Sequence, residues 1–166
     1  MKVKILRRGF VSAISLGAVF LAVAVPVGLT QPSGVTVTPL APVAQFDEIH
    51  SKAMSDEWQA QIKTQGVSDL HVVEVTIQPG GTIGWHHHVG PSFVVVKSGT
   101  ATFYHGADPT CTPQVFPAGS SLFEPGGDVH IVRNEGSEPL VNVVVQLIPT
   151  GTPRLVVEPS PGNCPF

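Results

Sequence analysis

From Trp58 to Glu158 the chain alternates between short apolar runs and turn formers. In Trp58–Thr64 the apolar Trp58, Ala60 and Ile62 interleave with Gln59, Gln61 and Lys63. A period of two sends successive side chains to opposite faces, so this segment is a predicted strand with one wet face. Asp69–Gln78 alternates again, with His71, Val73, Val75 and Ile77 as the more apolar set. Short runs follow at Trp85–His88, Ser92–Lys97, Thr100–His105, Gln114–Phe116, Ser120–Glu124, Val129–Arg133, Leu140–Ile148 and Leu155–Glu158. Between them stand Pro79-Gly80-Gly81, Gly90-Pro91, Ser98-Gly99 and the loop Gly106–Pro113. Short, evenly spaced, turn-connected strands predict an all-β antiparallel barrel or jelly roll. The segment before them lacks this rhythm. Thr30–Ala44 is rich in Pro, Val and Thr and reads as an extended linker, and Phe46, Ile49 and Ala53 fall on one side of one or two expected helical turns. The expected organisation is therefore a linker and short irregular segment over 31–56, a barrel over 57–158 and a tail over 159–166.

Composition agrees with a single core-forming domain: 166 residues, 42% hydrophobic and 13% charged, with 17 Gly and 16 Pro. The net charge is −3, and no basic stripe lies beyond the N-terminus, which excludes a nucleic-acid surface. The first thirty residues differ from the rest. Lys2, Lys4, Arg7 and Arg8 precede an uncharged apolar run from Phe10 to Val25, shorter than the roughly 20 residues of a spanning helix. With Ala22-Val23-Ala24 as a cleavage candidate, residues 1–30 read as an export signal or, if retained, as an N-terminal membrane anchor. Arg7-Arg8-Gly9-Phe10-Val11 also resembles a twin-arginine signal. Both readings place the mature protein outside the cytoplasm, secreted or in the cell envelope. Two cysteines in such a chain, Cys111 and Cys164, are expected to bridge and to tether the tail; a reactive or metal-binding thiol is the alternative.

The candidate chemistry lies in His86-His87-His88, three consecutive members of a set of seven histidines. On a strand, His86 and His88 share a face and His87 takes the other. Two imidazoles at that spacing chelate one ion if a third ligand arrives from elsewhere, and His130, after Pro125-Gly126-Gly127-Asp128-Val129, is the candidate.

The glycines and histidines around these positions resemble the two motifs of a small single-domain cupin of the type-2, jelly-roll kind. Gly80, His86, His88 and Gly99 fill the first motif, and Gly119, Pro125, Gly127, His130 and Asn134 fill the second. The resemblance implies a cupin barrel holding a divalent metal, with a small molecule bound inside. It departs at one position: Ser92 stands where the family places a ligating glutamate. The implied ligand set is then His86, His88 and His130, a neutral face suited to zinc, copper, iron or nickel and less to manganese. Histidines kept as inner-barrel polar residues without metal are the competing reading.

The resemblance does not define an activity, because barrels of this kind serve many functions. The leading expectation is an exported binding barrel with a metal and a small-molecule ligand. Beside it stand a metal-dependent oxygenase or isomerase-type enzyme and a metal-free structural or ligand-binding barrel. Tyr104, at a strand end near the rim, and Glu124, a lone carboxylate able to act as a base through water, are the catalytic candidates. Trp85 and Phe93 read as core or pocket-wall aromatics. Pairing of two barrels through sheet edges, as in similar proteins, would make a homodimer with Trp58–Thr64 as one candidate edge.

Overall fold

The computed structural model describes residues 30–166, and the N-terminal segment expected as signal or anchor lies outside the described residues. Among the described residues there are strands and no helix: β1 (Ser33–Pro39), β2 (Ala44–Phe46), β3 (His50–Met54), β4 (Gln59–Lys63), β5 (Ser68–Thr82), β6 (His86–His87), β7 (Ser92–Ser98), β8 (Thr100–His105), β9 (Gln114–Pro117), β10 (Ser121–Glu124), β11 (His130–Arg133), β12 (Leu140–Pro149) and β13 (Val156–Val157). The period-two pattern predicts most of these elements to within a residue or two at their ends. Their orientation follows the same pattern. Along β5, Val73, Val75 and Ile77 are buried, and along β12 so are Leu140, Asn142, Val144, Gln146 and Ile148.

All but β3 and β4 form one eleven-stranded antiparallel sheet, folded over into two layers. In one layer β1 and β2 pair β5, β5 pairs β12, β12 pairs β7, and β7 pairs the edge strand β10. In the other, β13 pairs β6, β6 pairs β11, β11 pairs β8, and β8 pairs β9. The tip of β5 reaches across to β11 at Thr82 and Arg133 and joins the layers. Between them lies the main apolar core, built from Val73, Val75, Ile77, Val94, Val96, Phe103, Val132 and Leu140 among others. The result is the antiparallel jelly-roll barrel expected from the strand pattern.

Three local expectations are corrected. Residues 31–56, read as linker and helical turns, contribute strands. Val35 and Val37 of β1 alternate with threonines and pair Ile77 and Val75. Phe46 pairs Ser68, and β3 forms a separate hairpin with β4 around a turn in which Ser55 N–H donates to the Trp58 carbonyl at 2.7 Å. The helical spacing of Phe46, Ile49 and Ala53 spans too few residues to nucleate a helix against this cross-strand pairing. Secondly, Pro79-Gly80-Gly81 bends β5 without ending it. Gly80 has φ 74°, a conformation open chiefly to glycine, and a Cβ on Gly81 would lie 2.6 Å from the Ser33 carbonyl oxygen. Thirdly, Phe93 is 57% exposed and tilts against Phe123 on the outer surface, their ring centroids 5.1 Å apart.

A second, smaller apolar cluster sits outside the barrel wall. Trp85, Tyr104, Ile131 and Cys164 are buried together there, with Cys111 and Val129 against them. The Cys111–Cys164 disulfide is formed and holds the tail over this cluster. Asn163 donates its side-chain amide to the carbonyls of His105 (3.0 Å) and Asp108 (2.6 Å). Phe166 closes the edge, its ring 5.1 Å from that of Tyr104 and 4.1 Å below the Arg133 guanidinium.

Candidate metal centre

The three histidines meet because β6 and β11 are neighbours and His86 pairs directly with His130. Side chains directly opposite in an antiparallel pair share a face, here the barrel interior. His88 follows two residues after His86 and reaches the same space. The ring centroids of His86 lie 4.3 Å from His130 and 4.9 Å from His88, and those of His88 and His130 are 5.2 Å apart. One ring nitrogen of each falls within 4.8 Å of the others, and all three residues are buried. Phe103 stacks on His130 at 4.8 Å and fixes its plane. His87 points the other way, its Nδ1 2.8 Å from Glu158 Oε1.

Main-chain carbonyls set the tautomers. Nδ1 of His86 lies 2.8 Å from the Gly84 oxygen, Nδ1 of His88 2.8 Å from the Arg154 oxygen, and Nδ1 of His130 2.8 Å from the Asp128 oxygen. A carbonyl only accepts, so each Nδ1 carries the proton and each neutral ring presents a bare Nε2 lone pair. Burial keeps the His86 and His130 rings neutral. It pulls His86 down to about 4, against its bond to Gly84 and with help from His88 and His87. Burial, then the neighbouring His86, holds His130 far below its ordinary value. The Nε2 of His130 is buried without a hydrogen-bond partner. Three fixed, neutral donors facing one point fit a divalent transition metal by number and by chemistry, so the cluster is able to hold one.

Around the histidines the remaining candidates divide. Glu124 enters the site: it is buried at the end of β10, with Oε2 3.1 Å from His88 Nε2 and Oε1 3.5 Å from His130 Nε2. Ser92 is fully buried but does not reach the histidines, because its hydroxyl accepts from the Gln146 amide at 2.9 Å. Gln146 is held in turn by Arg154, whose Nε donates to Oε1 at 2.8 Å. The Gln146 nitrogen also lies 3.0 Å from His88 Nδ1. Two donors cannot bond each other, so its second hydrogen goes to the Arg154 carbonyl at 3.3 Å. Tyr104 stays outside. Its neighbour Phe103 faces the interior, so Tyr104 faces the outer cluster, where its hydroxyl donates to Glu135 at 3.0 Å. Asn134 clamps the hairpin after β11, donating to the Ile77 and Glu138 carbonyls at 2.8 Å each.

Beside the histidines lies a cavity of about 240 Å³ with walls mainly of Val, Ile, Leu and Phe from both layers. Its polar groups are His86, His88, Glu124, Asn142, Gln146 and Arg154. Burial lowers the Arg154 guanidinium from its ordinary value. Asn142 is buried and its Oδ1 has no hydrogen-bond partner. Sequence reasoning missed Asn142, Gln146 and Arg154. The first two carried a readable signal, since both stand at the inward parity of the otherwise apolar β12. Arg154 carried none.

Fold and site together define a jelly-roll barrel with three convergent imidazoles on its inner wall. The family model described as Cupin domain matches residues 73–146, which span the three histidines, Ser92 and Glu124. No curated protein matches the chain. Among solved structures, a conserved Klebsiella pneumoniae protein with a double-stranded beta-helix domain is 23% identical, over 67% of this chain and 84% of that one, with a TM-score of 0.44. A DMSP lyase from Ruegeria pomeroyi is 22% identical over 52% of this chain, which spans 42% of the lyase, with a TM-score of 0.46. A predicted oxalate decarboxylase from Thermotoga maritima is 18% identical, over 51% of this chain and 83% of that one, with a TM-score of 0.41.

Proposed function

We propose that this barrel binds one divalent transition metal through His86, His88 and His130 and a small, largely apolar molecule in the cavity beside it. One observation carries the reading above the others: three buried imidazoles have their Nδ1 protons taken by main-chain carbonyls, which leaves three Nε2 lone pairs turned together. Such an arrangement is costly to bury unless something accepts those lone pairs. Iron, copper, zinc and nickel suit imidazole best. When bound, the ion supplies a Lewis acid able to polarise an oxygen of the ligand.

The chain's own residues define the rest of the pocket. A cavity of about 240 Å³ is at the small end for ligand sites, so the ligand is small. Valines and Phe103 face its body. Asn142 Oδ1, buried and unpartnered, calls for a hydrogen-bond donor on it. The Gln146–Arg154 pair holds His88 through the Arg154 carbonyl and borders the same space. The N-terminal sequence pattern and the disulfide favour an oxidising compartment outside the cytoplasm.

The test is elemental analysis of untagged protein produced with its N-terminal segment in an export-competent host. A stoichiometric transition metal in the wild type, lost from His130→Ala, supports the reading. A folded wild type without stoichiometric metal, even after incubation with these ions, contradicts it.

A further inference from the structure

The sequence lacks a carboxylate at Ser92, yet the site has one. Glu124 pairs directly with Ser92 across β10 and β7, and Gln146 pairs with Ser92 on the other side across β12. The three form one row on the inner face. Direct partners have Cβ atoms about 5 Å apart, within the reach of a glutamate side chain. A carboxylate from the neighbouring strand therefore arrives where one from position 92 would have pointed. Its length takes it to the two imidazoles that Ser92 does not touch.

The contacts themselves say what Glu124 meets. His88 and His130 both carry their proton on Nδ1, so their Nε2 atoms are acceptors, and an ionised carboxylate is acceptor-only. Acceptors then face acceptors at 3.1 Å and 3.5 Å. Among the described residues, the carboxylate's ion-pair contacts are both to these Nε2 atoms. A proton placed on one contact satisfies only that one, and His130 Nε2 keeps no hydrogen-bond partner. A shared cation satisfies both. Neighbouring ligand atoms about 2.1 Å from one ion are about 3.0–3.4 Å apart at octahedral or tetrahedral angles, and the two separations found are of this size.

We propose that Glu124 is a fourth metal ligand, supplied from β10 in place of the carboxylate absent at Ser92. The inference rests on the three-histidine reading above and changes its chemistry. The site is a His₃Glu set carrying one negative charge. A hard ion such as manganese, which a neutral triad binds poorly, is then held well.

The test titrates metal-stripped wild type, Glu124→Gln and the exchange variant Ser92→Glu/Glu124→Ser with manganese(II) and with zinc(II), by calorimetry and chelator competition. Wild type is expected to bind both ions. In Glu124→Gln, manganese affinity is expected to fall by roughly 100-fold and zinc affinity by roughly 10-fold, with the metal-free melting temperature unchanged or higher. The exchange variant is expected to recover most of the manganese affinity. Glu124→Asp, which keeps the charge on a shorter arm, is expected to bind manganese better than Glu124→Gln and provides the readout if the exchange variant does not fold. Manganese affinity in Glu124→Gln and Glu124→Asp equal to wild type overturns the proposal and leaves the three histidines standing, as would be found if Glu124 only moved protons. Wild type that binds neither ion overturns both readings.

Discussion

Strands β8 and β11 present two opposite surfaces, and the two are made by different rules. On the inner side Phe103 and Val132 are paired neighbours, and beside them His130, His86, His88 and Glu124 gather buried polar atoms. On the outer side Tyr104 pairs Ile131 and packs with Trp85 under a disulfide-bound tail. The outer surface hides apolar area and ties it down covalently. The inner surface gives up some apolar burial for polar side chains, and burial there keeps His86 and His130 neutral. The covalent tie lies outside the wall and the chemistry inside it, one residue apart along the same strands.

If so, damage to one surface should leave the other's property intact. The largest effect is expected from the tail. The Cys111–Cys164 bridge closes a 53-residue separation, and Cys111→Ser/Cys164→Ser should lower the unfolding free energy by about 4 kcal/mol. Metal affinity, measured on the folded fraction, should stay within a few-fold of wild type. Urea unfolding with parallel metal titration checks both halves.

The inner surface should show itself in pH dependence. The unfolded chain protonates its histidines near pH 6.5, whereas folded His86 resists protonation down to about 4. Protons therefore bind the unfolded state preferentially across that window. The metal-free protein should lose stability as pH falls through it, on the order of 3 kcal/mol for this group, and little more from it below. Denaturant midpoints at a series of pH values follow the loss, and replacing His86 with Gln should reduce it to the part that His130, also held below its ordinary value, contributes.

The smallest effect separates the surfaces most finely. Tyr104→Phe removes the hydroxyl bond to Glu135 and should cost about 1 kcal/mol or less. Because Tyr104 faces outward, metal and ligand binding should not change. A loss of either in a folded Tyr104→Phe protein would mean that the outer surface takes part in the site.

The same contrast explains what could be read from the sequence. Strands and barrel were legible because the alternation in β5 and β12 matches burial, and the histidines because two of them hold a period-two spacing. The pattern misled where the site inverts it. In β10 the apolar Phe123 points out and Glu124 points in, and in β7 Phe93 points out and Ser92 points in. Binary patterning assigns such a glutamate to the surface, and functional sites are where that rule is expected to fail. The partnership of Glu124 with Ser92 depends on strand order, which a single sequence does not display. β1 was missed for another reason. Its threonines and its closing Pro39 look like a linker, and only pairing with β5 turns Val35 and Val37 toward the cavity.

The most direct measurement is calorimetric titration of metal-stripped wild type and His130→Ala with zinc(II), with unfolding curves to show that both are folded. The account predicts saturable stoichiometric binding by the wild type and its loss in the folded variant. Equal binding by the two folded proteins would contradict it.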